Sequence, residues 1–109
     1  MAEIYKIVVS SDTNLQLEEG YNLTTSPRHA LELLREQGTE SALVDGGGKL
    51  NASFLREGLV HEIHLIIEPV MIGKGLPIIA PDAFEVRTSL ISVEEIHKEE
   101  VLLKYKVEK

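Results

Sequence analysis

The chain has 109 residues, eleven Lys and Arg against eighteen Asp and Glu, and a formal net charge of −7. That length suits one small domain spanning residues 1–109, which buries roughly 60–70% of the surface its unfolded form exposes, and 43% hydrophobic with 27% charged residues excludes a disordered chain. The acidic balance repels nucleic acid and anionic membranes at long range, while a local cationic pocket for phosphate stays compatible with it.

No cysteine is present, so disulfides, thiolate catalysis and Cys-type zinc sites are excluded. No apolar run approaches the ~20 residues that cross a bilayer. The opening Met1-Ala2-Glu3-Ile4-Tyr5-Lys6 lacks a signal-peptide pattern. The expectation is a cytoplasmic protein with neither nucleic-acid nor membrane partners.

Residues 4–9, rich in β-branched side chains, read as a strand. Residues 10–22 are polar and read as a loop, with a short extended piece at 15–17. Ser26-Pro27 opens a helix predicted over 27–37: Ser26 is an N-cap and Pro27 sits where its missing N–H costs nothing. Ala30, Leu31, Leu33 and Leu34 form its apolar stripe, and Gly38 ends it. Residues 41–44 (Ser-Ala-Leu-Val) read as a short central strand covered on both faces. A second helix is predicted over 49–57, burying Leu50, Phe54 and Leu55 and stopping at Gly58. Residues 61–68 alternate as a strand, 69–77 form a loop with Gly73 and Gly75, and 86–93 and 101–107 form a hairpin turning near 95–98. Strands alternating with helices predict a mainly parallel mixed sheet with flanking helices and a C-terminal antiparallel hairpin.

The most informative feature is Asp45-Gly46-Gly47-Gly48 between the predicted strand and the second helix. Glycines let backbone approach a ligand closely and adopt positive φ. A helix N-terminus adds unpaired N–H groups and a dipole that favours an anion. The plain alternative is a tight turn with close helix–sheet contact, and an isolated triple glycine does not decide between the two. The spacing is neither GxGxxG nor a Walker A loop.

Read together, several segments decide more. These are Leu34-Arg35-Glu36-Gln37-Gly38, Ala42-Leu43-Val44-Asp45-Gly46-Gly47-Gly48-Lys49-Leu50-Asn51, Phe54-Leu55-Arg56-Glu57-Gly58-Leu59-Val60, Glu62, Glu68-Pro69-Val70 and Gly73-Lys74-Gly75-Leu76-Pro77. The series resembles the reductase domain of bifunctional riboflavin-biosynthesis proteins and the stand-alone archaeal reductases of that family, over most of 31–79. The resemblance implies an α/β, dihydrofolate-reductase-like fold. It also implies hydride transfer from NADPH to a phosphoribosylamino-pyrimidine, giving the ribitylamino product. It makes Gly46, Gly47, Gly48, Lys49 and Leu50 cofactor-binding candidates and places Asp45 near substrate, where the family usually has the longer Glu. It assigns no catalytic residue.

The family's opening strand, its "SLDGK"-like segment and its Thr- or Arg-rich dinucleotide loop are not recognisable here. The chain therefore resembles the C-terminal half or so of the domain. A half sheet exposes faces and an edge, which predicts a homodimer or higher homo-oligomer. The alternative function is a non-catalytic module that oligomerises or binds nucleotide without the substrate half.

The remaining polar residues read plainly. His61 and His64 are three apart in a strand, point to opposite faces, and predict no metal site. Glu94, Glu95, Glu99 and Glu100 flank a turn and read as solvated charge. Lys74, between two glycines, either meets phosphate or marks a simple turn. Asn51 is predicted to bond backbone rather than touch ligand.

Overall fold

The computed structural model describes residues 6–10, 12, 14–17 and 19–108. The chain forms two compact units, Met1–Gly46 and Gly47–Lys109. Residues 4 and 5 of the first predicted strand lie outside the described residues.

In the first unit, β1 (Lys6–Val9) and β2 (Tyr21–Thr24) pair in parallel, from Lys6 opposite Tyr21 to Val9 opposite Thr24. The Lys6 ammonium lies 5.1 Å from the Tyr21 ring centroid, within cation–π range. The Ser10 N–H continues the ladder to the Thr24 carbonyl at 2.9 Å. Helix α1 (Pro27–Glu36) begins as its sequence dictates. Extended Ser26 accepts the His29 N–H on its hydroxyl at 3.1 Å, and Pro27 follows at the first helical position. Gly38, with φ +78°, ends the helix in the left-handed region that a Cβ disfavours. Thr24 is buried, and its hydroxyl is satisfied by the His29 Nδ1 at 2.6 Å.

In the second unit, α2 (Gly48–Arg56) precedes β3 (Glu62–Ile67), β4 (Thr88–His97) and β5 (Glu100–Val107). The sheet order is β3-β5-β4, antiparallel throughout. Ala52, Phe54, Leu55 and Val107 are its buried apolar side chains among the described residues. Ala52 is small enough to have escaped the predicted apolar face, whereas Leu50 is only half-buried.

Three expectations require correction. Residues 21–24 form β2, although 21–22 read as part of the polar loop and the alternation of Tyr-Asn-Leu-Thr spans only four residues; pairing with β1 makes them a strand. Residues 41–44 form none: Leu43 is 90% exposed, and among the described residues no backbone hydrogen bond ties that stretch to a neighbouring strand. An apolar tetrapeptide without a ladder partner has no reason to be extended. The sheet is also not mainly parallel. Among the described residues the one parallel pairing is β1 with β2, because the strand that meets β3 is β5, the returning arm of a hairpin. That hairpin turns at Lys98 and Glu99, whose φ values of 43° and 70° have the sign pattern of a type I′ turn, normally given to Asn-Gly.

The β3–β5 register sets Ile67 opposite Val101, so the next pair outward is Glu68 and Glu100. The two carboxyls share a hydrogen bond, which is the main reason the Glu68 pKa lies above its ordinary 4.5, with loss of water and the Glu100 charge adding to it. A raised carboxyl pKa means the folded chain binds more protons than the unfolded one above pH 4.5. The stability this contributes is present below 4.5 and is lost as pH rises through the raised value. Glu100→Gln is expected to flatten that slope: across this window the urea midpoint of the wild type should fall relative to the variant's.

Candidate functional site

Asp45 and Gly46 end the first unit, and Gly47, Gly48, Lys49 and Leu50 open α2 in the second. Asp45, Gly46, Gly47 and Lys49 are exposed, Gly48 and Leu50 half-buried.

The glycines at 47 and 48 serve different ends. Gly47 is the N-cap of α2, with φ −73° and ψ −178°, a backbone conformation any residue adopts. A Cβ built on it meets no atom within 4 Å. Neither backbone strain nor packing within the chain accounts for a glycine there. Close approach by something outside the chain would account for it. No side chain caps the helix, so its opening N–H groups present the positive end of the dipole without a capping hydroxyl or carboxylate.

Gly48 is required by the chain itself. A Cβ there would lie 2.6 Å from the Pro77 carbonyl oxygen and 2.9 Å from the Ala80 nitrogen, both backbone atoms. The Ala80 N–H donates to the Gly48 carbonyl at 3.0 Å, and the Asn51 side-chain amide donates to the Ile78 carbonyl at 2.8 Å. Farther along, Arg56 pairs with Asp82. The Ala83 N–H and the Arg56 guanidinium hold the Asp82 carboxyl below its ordinary range. Residues 77–82 are thereby strapped along α2 at its first, second and last turns. Asn51 bonds backbone, as its sequence position predicts, with a carbonyl 27 residues away as a partner. No sequence signal marks that carbonyl.

Cavities in this unit include two bordered by described residues. One of about 570 Å³ is lined by Ile72, Lys74, Gly75, Leu76 and Pro77. Pro77 is shared between that cavity and the tight contact on Gly48, and Lys74 lines the cavity three residues before it. The other, about 490 Å³, lies at the far end of α2 against Leu55, Arg56, Phe84, Arg87 and Val107.

His64 pairs with Glu62 at 3.0 Å. Among the described residues no three His, Asp or Glu side chains converge as metal ligands, and no helix is long and apolar enough to cross a membrane.

Residues 3–102 match the RibD C-terminal domain. The chain belongs to that family. Similar solved structures agree in fold. A riboflavin biosynthesis protein from Shewanella sp. PV-4 superposes with a TM-score of 0.80 at 20% identity, over 94% of this chain and 60% of that one. RibD of Acinetobacter baumannii gives 0.69 at 22% identity, over 82% and 27%. The diaminohydroxyphosphoribosylaminopyrimidine deaminase/5-amino-6-(5-phosphoribosylamino)uracil reductase of Thermotoga maritima gives 0.67 at 21%, over 93% and 30%. This RibD C-terminal domain thus spans from about a quarter to three fifths of the length of these relatives, and the one family match runs through most of both units.

The two glycines should separate in mutagenesis. Gly48→Ala is expected to cost about 1–2 kcal/mol, the overpacking penalty less the helix-propensity gain. It should appear as a lower urea midpoint at unchanged m-value. Gly47→Ser, an exchange between two good N-caps, should move stability by no more than a few tenths of a kcal/mol.

Proposed function

We propose that the two units are parts of one dihydrofolate-reductase-like domain, and that it takes part in NADPH-dependent reduction of a phosphoribosylamino-pyrimidine to its ribitylamino form. Membership of the RibD C-terminal family supports the reaction class, and the printed activity of the Thermotoga relative supports the substrate.

The observation that carries the cofactor reading is Gly47. It is a glycine that nothing in the chain requires, at the uncapped start of a helix. The residues fit a dinucleotide phosphate there. Backbone N–H groups at the start of α2 would bond its oxygens, Lys49 and Lys74 would supply charge, and the strapped Gly48 would fix the direction in which the helix points. NADPH when bound supplies the hydride. The chain's part is to hold the dinucleotide, orient it and keep water from the reacting carbon. Asp45 is the substrate-facing carboxylate in this reading, one methylene shorter than the family's Glu. No residue is assigned to proton transfer.

A second reading is favoured by one observation, the apolar side chains left in water on the β3-β5-β4 sheet. In it the chain self-associates and binds nucleotide without turning over substrate. Homo-oligomerisation belongs to both readings, as does a soluble cytoplasmic setting.

NADPH titration followed by its fluorescence tests the cofactor site. The expected result is a dissociation constant in the micromolar range, weakened at least about tenfold by Gly47→Asp, whose carboxylate opposes the phosphate, and about three- to tenfold by Lys74→Ala. Absence of binding at millimolar NADPH, or a Gly47→Asp variant that binds as wild type does, contradicts the assignment. Binding without consumption of NADPH in the presence of the pyrimidine substrate favours the second reading.

A further inference from the structure

We propose that Asp45 and Gly46 form a site of spontaneous covalent modification, at which the aspartate closes on the glycine nitrogen to a cyclic imide and reopens as isoaspartate.

The chemistry needs only water. The Gly46 nitrogen bonds to the Asp45 Cγ, and the Cγ hydroxyl leaves as water with the amide proton. A second water then opens the imide ring. Attack at Cγ restores aspartate. Attack at the former main-chain carbonyl leaves the chain running through the side-chain carboxyl, which is isoaspartate. One water is lost and one gained, and either product carries one oxygen from solvent. Ring closure is favoured where the carboxyl is free to turn, the backbone is not held in a helix or ladder, and the next residue brings no Cβ to crowd the approach.

The three aspartates of the chain meet those conditions unequally. Asp12 precedes Thr13, whose branched Cβ crowds the nitrogen, and its Oδ1 accepts the Asn14 N–H at 3.0 Å. Asp82 accepts the N–H of its own neighbour, Ala83, on Oδ1 at 2.7 Å, so that nitrogen presents its proton to the carboxyl. Arg56 on Oδ2 holds the same carboxyl ionised, and the ionised form is the one that cannot release water. Asp45 differs on every count. It is exposed, and it lies in the stretch 41–47, which belongs to no helix or strand. Its carboxylate has no hydrogen-bond or ion-pair partner among the described residues, and a glycine follows it. Asparagine can close the same ring with loss of ammonia, but Asn14, Asn22 and Asn51 precede Leu15, Leu23 and Ala52. The liability is therefore concentrated at one position.

Isoaspartate lengthens the main chain by one carbon and shortens the arm of the carboxylate, two residues ahead of the α2 N-cap at Gly47. On the function proposed above, the converted chain has its substrate-facing carboxylate displaced. The ring closure itself needs no ligand and stands apart from that reading.

Incubation of the full chain in oxygen-18 water at neutral pH, folded in one sample and unfolded by guanidinium chloride in another, tests the proposal, with the label located by peptide mass spectrometry. In the folded chain Asp45 should take up label at least about tenfold faster than Asp12 or Asp82, and within about tenfold of its own rate in the unfolded chain. Isoaspartate should accumulate at 45, and Asp45→Glu, whose longer arm must close a larger ring, should abolish uptake there. A smaller lead over Asp12 and Asp82, or a greater slowing of Asp45 by folding, overturns the proposal. NADPH takes no part in the readout, so either result leaves the cofactor titration to judge its own reading.

Discussion

The second unit is organised by a backbone contact that only a glycine permits. At Gly48 the chain passes so close to Pro77 and Ala80 that a single carbon atom would collide with backbone on two sides. The hydrogen bond from Ala80 and the amide of Asn51 hold the approach closed, and the Arg56–Asp82 ion pair fixes the other end of the strap. The ion pair is exposed and contributes little by itself; the close-packed backbone sets the geometry. The long segment between β3 and β4 is in this way laid along α2 instead of looping free.

A functional consequence comes from this division of labour between neighbours. Gly48 is used up in holding the strap, while Gly47 is exposed and a Cβ on it would meet no atom within 4 Å. Lys74 lies three residues before Pro77, where the contact with Gly48 begins. In the proposed reading a cation, a dipole terminus and a bare backbone would meet a phosphate together. Membership of the RibD C-terminal family agrees with that chemistry.

Much of this was legible in the residues. Ser26-Pro27 and Gly38 bracketed α1 to within a residue, because capping is local chemistry. The alternation of 61–68 and 101–107 marked β3 and β5, because a two-residue period has one structural meaning. What stayed hidden was whatever depends on distant partners. Residues 21–24 are a strand because β1 lies beside them, and residues 41–44, the more apolar run, are not one because nothing among the described residues pairs with them. Asn51 was readable as a backbone-bonding residue, but its Ile78 partner was not. The triple glycine looked like one motif, and it is two devices: one shaped by the chain's own packing, the other open to solvent.

The central claim is that the outward amides at the head of α2 receive a dinucleotide. It is tested most directly by nitrogen–proton correlation spectra recorded as NADPH is added. The account predicts that the largest amide shifts fall on Gly47, Lys49 and Leu50, with Lys74 following, while Gly38 and Gly58, the glycines that end the two helices, stay in place. Shifts centred instead around Leu55, Arg87 and Val107, or spread evenly over the chain, would contradict it.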